Sequence, residues 1–371
     1  MRIIISGGGT GGHIFPALAI ANAIKARHPE AEILFVGAKG RMEMEKVPAA
    51  GYTIKGLPIA GLQRQITLHN ILLNLLLPFK VLASRCKVRS ILRSFKPDVV
   101  VGVGGFASQP TLSVAARMGY TTLLQEQNSY AGLANKTLAR HAAKICVAYE
   151  GMERFFPAEK IMLTGNPVRQ QLLETTTTRE DAVRSFGLDP QKKTILLVGG
   201  SLGARTINES VLQHVDLIEK NDNIQFIWQT GKYYSAEISE RMKGHELPNL
   251  IVTDFISDMG AAYKAADLVI SRAGAGSISE FCLLGMPVIL VPSPNVAEDH
   301  QTKNAMALVN KQAALYVKDK EASVLLLPLA IDTVKDAAKL ESLRENILKM
   351  ALPDAAEIIA KEVISLAEQT H

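Results

Sequence analysis

The segment Arg2-Ile-Ile-Ile-Ser-Gly-Gly-Gly-Thr-Gly-Gly-His-Ile-Phe-Pro16 joins a short apolar run to a glycine-rich turn. Residues 2–6 predict a buried strand, and the glycines within 7–12 permit a tight turn because glycine adopts backbone conformations that other residues avoid. A helix is expected to open near Pro16, since proline is tolerated in the first helical turn, where its missing N–H is no loss. This order of elements predicts a parallel sheet wound by crossover helices.

The same pattern returns in the second half of the chain. Thr194–Val198 predicts a buried strand, Gly199–Gly203 its turn, and a helix follows, while apolar strands alternate with helix-period segments along most of the sequence. A chain of 371 residues exceeds what one hydrophobic core usually organises. We therefore predict an α/β protein of two Rossmann-like domains facing across a cleft, residues 1–167 and 168–352, with a C-terminal helix within 353–371 packing back on the first domain.

The composition is that of an ordinary globular protein. Hydrophobic residues make up 47% of the chain and charged residues 21%, a balance that argues against disorder. The net charge of +5 is a mild surplus that by itself favours no class of partner. Cys86, Cys146 and Cys282 lack zinc-site spacing, which favours a reducing compartment. Since no segment reaches the ~18 to 20 unbroken apolar residues of a membrane span and no signal-peptide pattern opens the chain, the sequence predicts a cytoplasmic protein.

Four glycine clusters follow predicted strands, at Gly7–Gly12, Gly102–Gly105, Gly199–Gly203 and Gly274–Gly276. Such turns bring backbone N–H groups close to an anion at a helix N-terminus. One glycine turn could merely connect a strand to a helix, but four in the same context indicate an anion-binding cleft. None contains the lysine of a P-loop, and no acidic residue ends the next strand, 33–36, as a dinucleotide site would require. ATP hydrolysis and hydride transfer are therefore disfavoured.

Three further motifs carry a family resemblance together with these clusters: Gln125-Glu-Gln-Asn128, Gly165-Asn-Pro-Val-Arg169 and Glu298-Asp-His-Gln301. In this order, over residues 1 to about 310, they resemble the MurG family of glycosyltransferases, which belongs to glycosyltransferase family 28 and has the two-domain GT-B fold. The resemblance implies transfer of N-acetylglucosamine from UDP-N-acetylglucosamine to the 4-hydroxyl of the muramyl sugar of undecaprenyl-pyrophosphoryl-N-acetylmuramyl-pentapeptide (lipid I). The product is lipid II, a precursor of peptidoglycan, and the implied chemistry is inverting and independent of metals and cofactors.

The resemblance also implies a donor site, which is expected to bind UDP-N-acetylglucosamine. Glu280 would accept bonds from the ribose hydroxyls, since a carboxylate suits a diol, and the amides of the loop before it would face the pyrophosphate at a positive helix end. Gly104, Gly105 and Phe106 are assigned to the acceptor pyrophosphate. The donor-binding residues are Thr10, Gly11, Gly12, Asn128, Arg169, Ser201, Ile256, Gly274, Ala275, Gly276, Ser277, Glu280 and Gln301.

Two side chains are candidates for the catalytic base. His13 ends the first glycine loop at the predicted helix start and is the first choice for taking the proton from the acceptor hydroxyl. Glu126 is the second choice. The sequence departs from the family pattern at Phe106, where tyrosine is frequent, at Gln125, where histidine is frequent, and at Leu202, where glutamine is frequent.

Residues 66–82 are unusually apolar but are interrupted by polar side chains and Pro78. They could form a buried helix, or an apolar patch pressed into a lipid interface with basic residues beside anionic headgroups. A patch of this kind suits an enzyme whose acceptor is linked to a lipid. We therefore predict a peripheral enzyme at the cytoplasmic face of the plasma membrane, with a role in cell-wall biogenesis, cell shape and cell division. Its expected partners are other cell-wall synthesis proteins, and no nucleic acid is expected. The patch residues are Ile71, Leu72, Leu75, Leu76, Phe79, Lys80, Arg85 and Arg89.

Three other functions share part of this pattern. Another two-domain transferase would keep the donor site but not Gly8–Ala17 or Gln125–Asn128. An epimerase of UDP-N-acetylglucosamine would need several carboxylates in the cleft, whereas Glu126 is the one candidate. A non-catalytic nucleotide-sugar-binding protein would bind the donor without turnover.

Overall fold

The computed structural model describes residues 1–59, 61, 75–168, 172, 176–200 and 202–369. The predictions for Ile71, Leu72, Arg169 and Ser201 lie outside these residues. The chain divides into two compact units, one of Met1–Val168 with Leu352–His371 and one of Arg169–Ala351. Both units are α/β, with a parallel sheet and helices in each, as predicted for the GT-B fold.

The first unit holds a seven-stranded sheet. Its strands are β1 (Arg2–Ser6), β2 (Glu32–Ala38), β3 (Thr53–Leu57), β4 (Val99–Gly102), β5 (Thr121–Glu126), β6 (Lys144–Val147) and β7 (Ile161–Leu163). They pair in parallel in the order β3-β2-β1-β4-β5-β6-β7. The helices are α1 (Gly11–Arg27), α2 (Glu43–Ala49), α3 (Leu77–Phe95), α4 (Ser108–Arg117) and α5 (Leu133–Leu138). Short 3₁₀ turns occupy Ala139–His141, Met152–Arg154 and Ala158–Lys160.

The second unit repeats this plan with six strands. They are β8 (Lys193–Val198), β9 (Ile224–Gln229), β10 (Leu250–Thr253), β11 (Leu268–Ser271), β12 (Val288–Leu290) and β13 (Leu315–Tyr316). They pair in parallel in the order β10-β9-β8-β11-β12-β13. The helices are α6 (Arg179–Ser185), α7 (Arg205–Leu212), α8 (Val215–Lys220), α9 (Ser235–Arg241), α10 (Met259–Ala265), α11 (Ala275–Leu284), α12 (His300–Val309), α13 (Asp319–Lys335) and α14 (Ala337–Leu348). A 3₁₀ turn occupies Ala297–Asp299.

The central strands are apolar on both faces because helices cover both faces of the sheet. Ile3 and Ile5 of β1 pack in a cluster with Ile20 of α1, whereas Ile4 packs in the opposite cluster with Leu92 of α3 and Leu112 of α4. All three isoleucines are fully buried. The continuous apolar run of residues 2–6 thus serves two cores.

Helix α1 begins earlier than expected from Pro16. Thr10 has extended backbone angles (φ −145°, ψ 158°), and its carbonyl accepts bonds from the amides of His13 and Ile14 at 3.1 and 3.2 Å. Gly11 and Gly12 therefore lie in the first helical turn, and the glycine turn is limited to residues 7–10. The prediction of a turn through residue 12 was wrong because Thr10, rather than Pro16, sets the start of the helix.

A last helix, α15 (Ala355–Glu368), follows the second unit in the sequence and belongs to the first. Ile359 and Val363 lie in the same core cluster as Ile20 and Ile24 of α1. Arg27 of α1 pairs with Glu357 through its Nε, at 2.7 Å, and its Nη2. No helix among the described residues is long and apolar enough to cross a membrane.

Candidate active site

Both sheets reverse their strand order beside glycine loops. Strand β1 has β2 on one side and β4 on the other, and β8 likewise separates β9 from β11. Ligands of open parallel sheets bind beyond the carboxyl ends of the strands at such a reversal. The loops found there are 7–10 and 103–107 in the first unit and, in the second, 199–200 with 202–204 and 272–274. The four glycine clusters of the sequence therefore occupy the reversal points of both sheets.

The two loops of the first unit touch through glycine. A Cβ atom at Gly105 would lie 2.3 Å from the carbonyl oxygen of Gly8, and Gly105 has φ +81°. A Cβ at Gly7 would lie 2.1 Å from Val103 Cγ2. A side chain at these positions would push the loops apart, so glycine is required for their close approach.

His13 lies in the first turn of α1, half-buried between the two loops. Its Nδ1 is 3.2 Å from Thr10 Oγ1. Its opposite edge faces Gly104, where a Cβ would lie 2.9 Å from Cδ2 and 3.0 Å from Nε2. In the tautomer in which Nδ1 donates to Thr10, Nε2 carries the lone pair that a general base needs. The fold thus places the predicted base at the sheet reversal, with exposed Thr10 and Gly12 beside it.

Glu126 ends β5 and is only 2% exposed. Its Oε1 accepts from the backbone N and Nδ2 of Asn128 at 3.0 and 3.2 Å, and its Oε2 accepts from Gly132 N at 3.0 Å and Asn135 Nδ2 at 2.9 Å. Two donors to each oxygen make this carboxylate an anchor for the loop 127–132. These bonds fix the orientation of Asn128, and Glu126 stays the second candidate for the base.

Buried side-chain amides connect the loop 127–132 to Asn166, and the sequence did not predict this connection. Gln125 Nε2 donates to Asn166 Oδ1 at 3.0 Å, and Asn166 Nδ2 donates to the carbonyl of Gln127 at 2.9 Å. Gln127 Nε2 in turn donates to the carbonyl of Val103 at 2.8 Å and to Gln125 Oε1. The network ties the loop after β4 to the ends of β5 and β7.

Phe106 covers the glycine loop of residues 7–10. A Cβ at Gly9 would lie 2.9 Å from Phe106 Cε1, and the guanidinium carbon of Arg41 is 5.8 Å from the ring centroid. Gly104 and Gly105, with φ +89° and +81°, form the turn before this ring. The residues predicted for the acceptor pyrophosphate are thus contiguous with those around His13.

In the second unit, α11 begins at the reversal point. Gly274 has extended backbone angles (φ −71°, ψ 139°) at the N-cap position, where it offers no side chain to cap the first turn. Ala275, Gly276 and Ser277 form the half-buried first turn. The amides and the positive end of this helix suit an anion.

Glu280 lies one turn further along α11 and is 8% exposed. The hydroxyl of Tyr263, on α10, donates to its Oε2 at 3.0 Å. Tyr263 also stacks edge-on against Phe281, with ring centroids 5.7 Å apart. The carboxylate is thereby held in one orientation beside the first turn of α11.

Ile256 and Gln301 follow other strands along the same carboxyl edge. Ile256 is buried in the loop after β10, two strands away from β8. Gln301 lies in the first turn of α12, and its Oε1 accepts a hydrogen bond from Ser293 N at 2.8 Å. Just before it, Glu298 and Asp299 have φ of +54° and +51°. These left-handed conformations are uncommon for residues other than glycine and mark the loop as a functional candidate.

Arg272 clamps the loops of the second unit, and the sequence did not assign it a role. Its Nη1 donates to the carbonyls of Val291 at 3.0 Å and Pro292 at 3.3 Å and to Asp319 Oδ1. Its Nη2 lies 3.2 Å from Thr206 Oγ1, which donates to Asp319 Oδ1 at 2.6 Å. The largely buried guanidinium therefore joins the ends of β11 and β12 to α7 and α13.

Within the described residues, no group of three or more His, Cys, Asp and Glu side chains is arranged to hold a metal ion.

Comparison with known proteins identifies the family. Residues 3–147 match the glycosyltransferase family 28 N-terminal domain, and residues 194–359 match the C-terminal domain of the same family. The UDP-N-acetylglucosamine–N-acetylmuramyl-(pentapeptide) pyrophosphoryl-undecaprenol N-acetylglucosamine transferase of Bacteroides fragilis is 64% identical over 371 residues, covering 100% of this chain and 97% of that protein. The protein of the same name from Phocaeicola vulgatus is 65% identical over 370 residues, with the same coverage.

Solved structures agree with this assignment. Acinetobacter baumannii MurG superposes with a TM-score of 0.76 at 26% identity, covering 98% of this chain and 99% of that one. The UDP-GlcNAc 2-epimerase of Neisseria meningitidis has a TM-score of 0.67 at 14% identity, covering 98% and 100%, which is a likeness of fold alone. With both domains of the family matched in order, the chain belongs to glycosyltransferase family 28.

Proposed function

We propose that this chain transfers N-acetylglucosamine from UDP-N-acetylglucosamine to the 4-hydroxyl of the muramyl sugar of lipid I, giving lipid II in peptidoglycan synthesis. The observation that carries the proposal is the placement of glycine loops and helix N-termini at both sheet reversals. Two such sites suit a reaction between two substrates that each contain a pyrophosphate. The names of full-length relatives at 64–65% identity support the same substrates.

The donor half of the reaction is assigned to the second unit. The amides of Gly274–Ser277 and the positive end of α11 bind the UDP pyrophosphate and stabilise the charge that develops as UDP departs. Glu280, oriented by Tyr263, accepts hydrogen bonds from the ribose hydroxyls. Ile256 packs against the uracil, and Gln301 reads the sugar hydroxyls.

The acceptor half is assigned to the loops around His13. The turns at residues 7–10 and 104–106 and the start of α1 hold the acceptor pyrophosphate. His13 Nε2 takes the proton from the 4-hydroxyl as that oxygen forms its bond to the anomeric carbon. The bond from the anomeric carbon to UDP breaks, and UDP leaves with the electron pair. A single displacement inverts the anomeric centre.

The test is turnover of defined substrates. Labelled UDP-N-acetylglucosamine and a lipid I analogue should yield a labelled disaccharide lipid and UDP in equal amounts. Binding of the donor without product would favour a binding protein, and conversion of the donor sugar without an acceptor would favour an epimerase.

The structure of α3 favours a membrane-facing patch at its N-terminal end. Phe79 is 71% exposed and Leu82 is 62% exposed. Arg89 and Arg93 follow on the same helix face, because spacings of three, seven and four residues bring side chains back to one side. The opposite face is buried through Val88 and Leu92, among other residues. An apolar tip followed by positive charge suits a surface of anionic lipid.

Not every basic residue of α3 belongs to this patch. Lys87 donates to the carbonyl of Gly56 at 2.7 Å, which ties its charge to β3. Lys80 and Arg85 are half-buried, and Arg89 is exposed. With Leu75 and Leu76 exposed at the start of the helix, the proposal is a peripheral enzyme bound at the cytoplasmic face of the plasma membrane.

Replacing Phe79 and Leu82 together by serine should weaken binding to vesicles containing anionic phospholipid by at least about tenfold, since each apolar side chain contributes ~1.5–3 kcal/mol when buried. Reversing the charge at Lys80, Arg85 and Arg89 should weaken it further at low salt. Flotation of the protein with vesicles measures the effect, and Val324→Ser, an exposed apolar residue of α13, is the control. Unchanged flotation of the double variant would contradict the patch, provided that an unchanged melting temperature shows the variant to be folded.

A further inference from the structure

Glu43 carries a buried carboxylate that reaches the glycine loop beside His13. It opens α2 but points away from solvent and is 1% exposed. Its Oε2 accepts a hydrogen bond from Gly9 N at 3.0 Å, and its Oε1 accepts one from Ala38 N, at the end of β2, at 3.0 Å. One side chain thus ties the loop after β1 to the end of β2.

The surroundings of this carboxylate are shaped to admit it. A Cβ at Gly8 would lie 2.2 Å from Glu43 Oε1, and a Cβ at Gly37 would lie 2.6 Å from Glu43 Cγ. Glycine at both positions leaves the space that the side chain fills. Burying a charge is costly unless hydrogen bonds compensate it, and here two backbone amides do so.

The hydrogen bond from Gly9 N to Glu43 affects the position of the predicted base, because His13 follows Gly9 closely in the chain. Gly9 precedes Thr10, whose carbonyl starts α1 and whose hydroxyl contacts His13. Because Gly9 N is held by Glu43, this amide is occupied within the protein, and the acceptor pyrophosphate is left to the amides at the start of α1 and in the loop 104–106. The shape of the loop is set before the acceptor arrives, which is the preorganisation that catalysis requires.

We infer that Glu43 is a positioning residue for the acceptor side of the reaction: its carboxylate holds the glycine loop in the conformation that places His13 and the start of α1. The inference rests on the proposed function. It assigns Glu43 no contact with either substrate. Binding of the UDP part of the donor, which is assigned to α11 in the other unit, should not depend on it.

Glu43→Gln separates this role from general stability. A glutamine oxygen can accept one of the two amide bonds, but its NH₂ group would face the other amide as a second donor. We expect kcat with a lipid I analogue to fall by about tenfold or more, because small displacements of catalytic groups are costly, while the KM for UDP-N-acetylglucosamine stays within about twofold. The matched control is Glu45→Gln, an exposed glutamate in the same helical turn.

Glu43→Asp keeps the negative charge but shortens the side chain by one methylene group. This variant tests the positioning role of Glu43 if Glu43→Gln does not fold. It should show a smaller fall in kcat, again with the donor KM unchanged. Wild-type protein without turnover would reject the proposed function itself. If the wild type is active, either of two results would overturn the inference. One is a folded Glu43 variant whose kcat equals that of Glu45→Gln. The other is a parallel fall of kcat and donor affinity in a Glu43 variant.

Discussion

Replacing His13 by alanine should lower kcat by about 10²- to 10⁴-fold, the range that a positioned general base contributes, and leave the affinity for UDP-N-acetylglucosamine within about twofold. The expectation follows from the place of the imidazole, between Thr10 Oγ1 and Gly104 at the reversal of the first sheet. Donor binding is assigned to α11 and should survive. Initial rates with a lipid I analogue and calorimetry with UDP-N-acetylglucosamine measure the two quantities.

The control for this variant is His141→Ala, which removes an exposed histidine from a 3₁₀ turn of the same unit. If His13→Ala keeps at least a third of wild-type kcat, His13 is not the base. Glu126→Gln then becomes informative. Because Glu126 accepts hydrogen bonds from four donors, we expect its replacement to lower the melting temperature.

Arg272→Met should lower the free energy of unfolding by about 3–5 kcal/mol, the usual cost of breaking a buried ion pair by removing one partner. The variant leaves Asp319 without its guanidinium and the carbonyls of Val291 and Pro292 without their donor. Because the same guanidinium fixes the loop before α11, UDP affinity should also fall. Urea unfolding and calorimetry measure these effects.

The matched control is Arg241→Met, since Arg241 pairs with Glu209 at 2.8 Å but is 41% exposed. Surface pairs of this kind contribute about 0–1 kcal/mol. Equal losses in the free energy of unfolding of the Arg272→Met and Arg241→Met variants would contradict the role of Arg272 in joining the loops. A double variant of Arg272→Met with Asp319→Asn should lose less than the sum of the single changes, because neither charge is then left buried alone.

The glycine loops could be predicted from the sequence because their requirements are local. A short apolar strand, a turn that needs positive φ and a helix start are encoded within some fifteen neighbouring residues, as at Arg2–Pro16. The α/β architecture followed from repeating this pattern. The start of α1 was misplaced because Pro16 fits anywhere in the first turns of a helix, whereas the extended backbone of Thr10 is visible only in the structure.

The supporting residues could not be predicted, because each acts on a partner distant in the sequence. Glu43 lies 34 residues from Gly9, and Arg272 lies 47 residues from Asp319. Only the strand order brings these pairs together. A carboxylate at a strand end, such as that of Glu126, suits a base or an anchor equally well, and its four donors are known only from the structure.

The position of α15 in the sequence has a consequence for biosynthesis. Residues 355–368 emerge from the ribosome only after the whole of Arg169–Ala351, which is a continuous stretch and can form its own core as it appears. Until then Ile20 and Ile24 of α1 lack their partners Ile359 and Val363. The first unit is therefore translated first but completed last. During most of synthesis the apolar surface of α1 stays exposed, so that chaperones can bind it or the chain can aggregate through it.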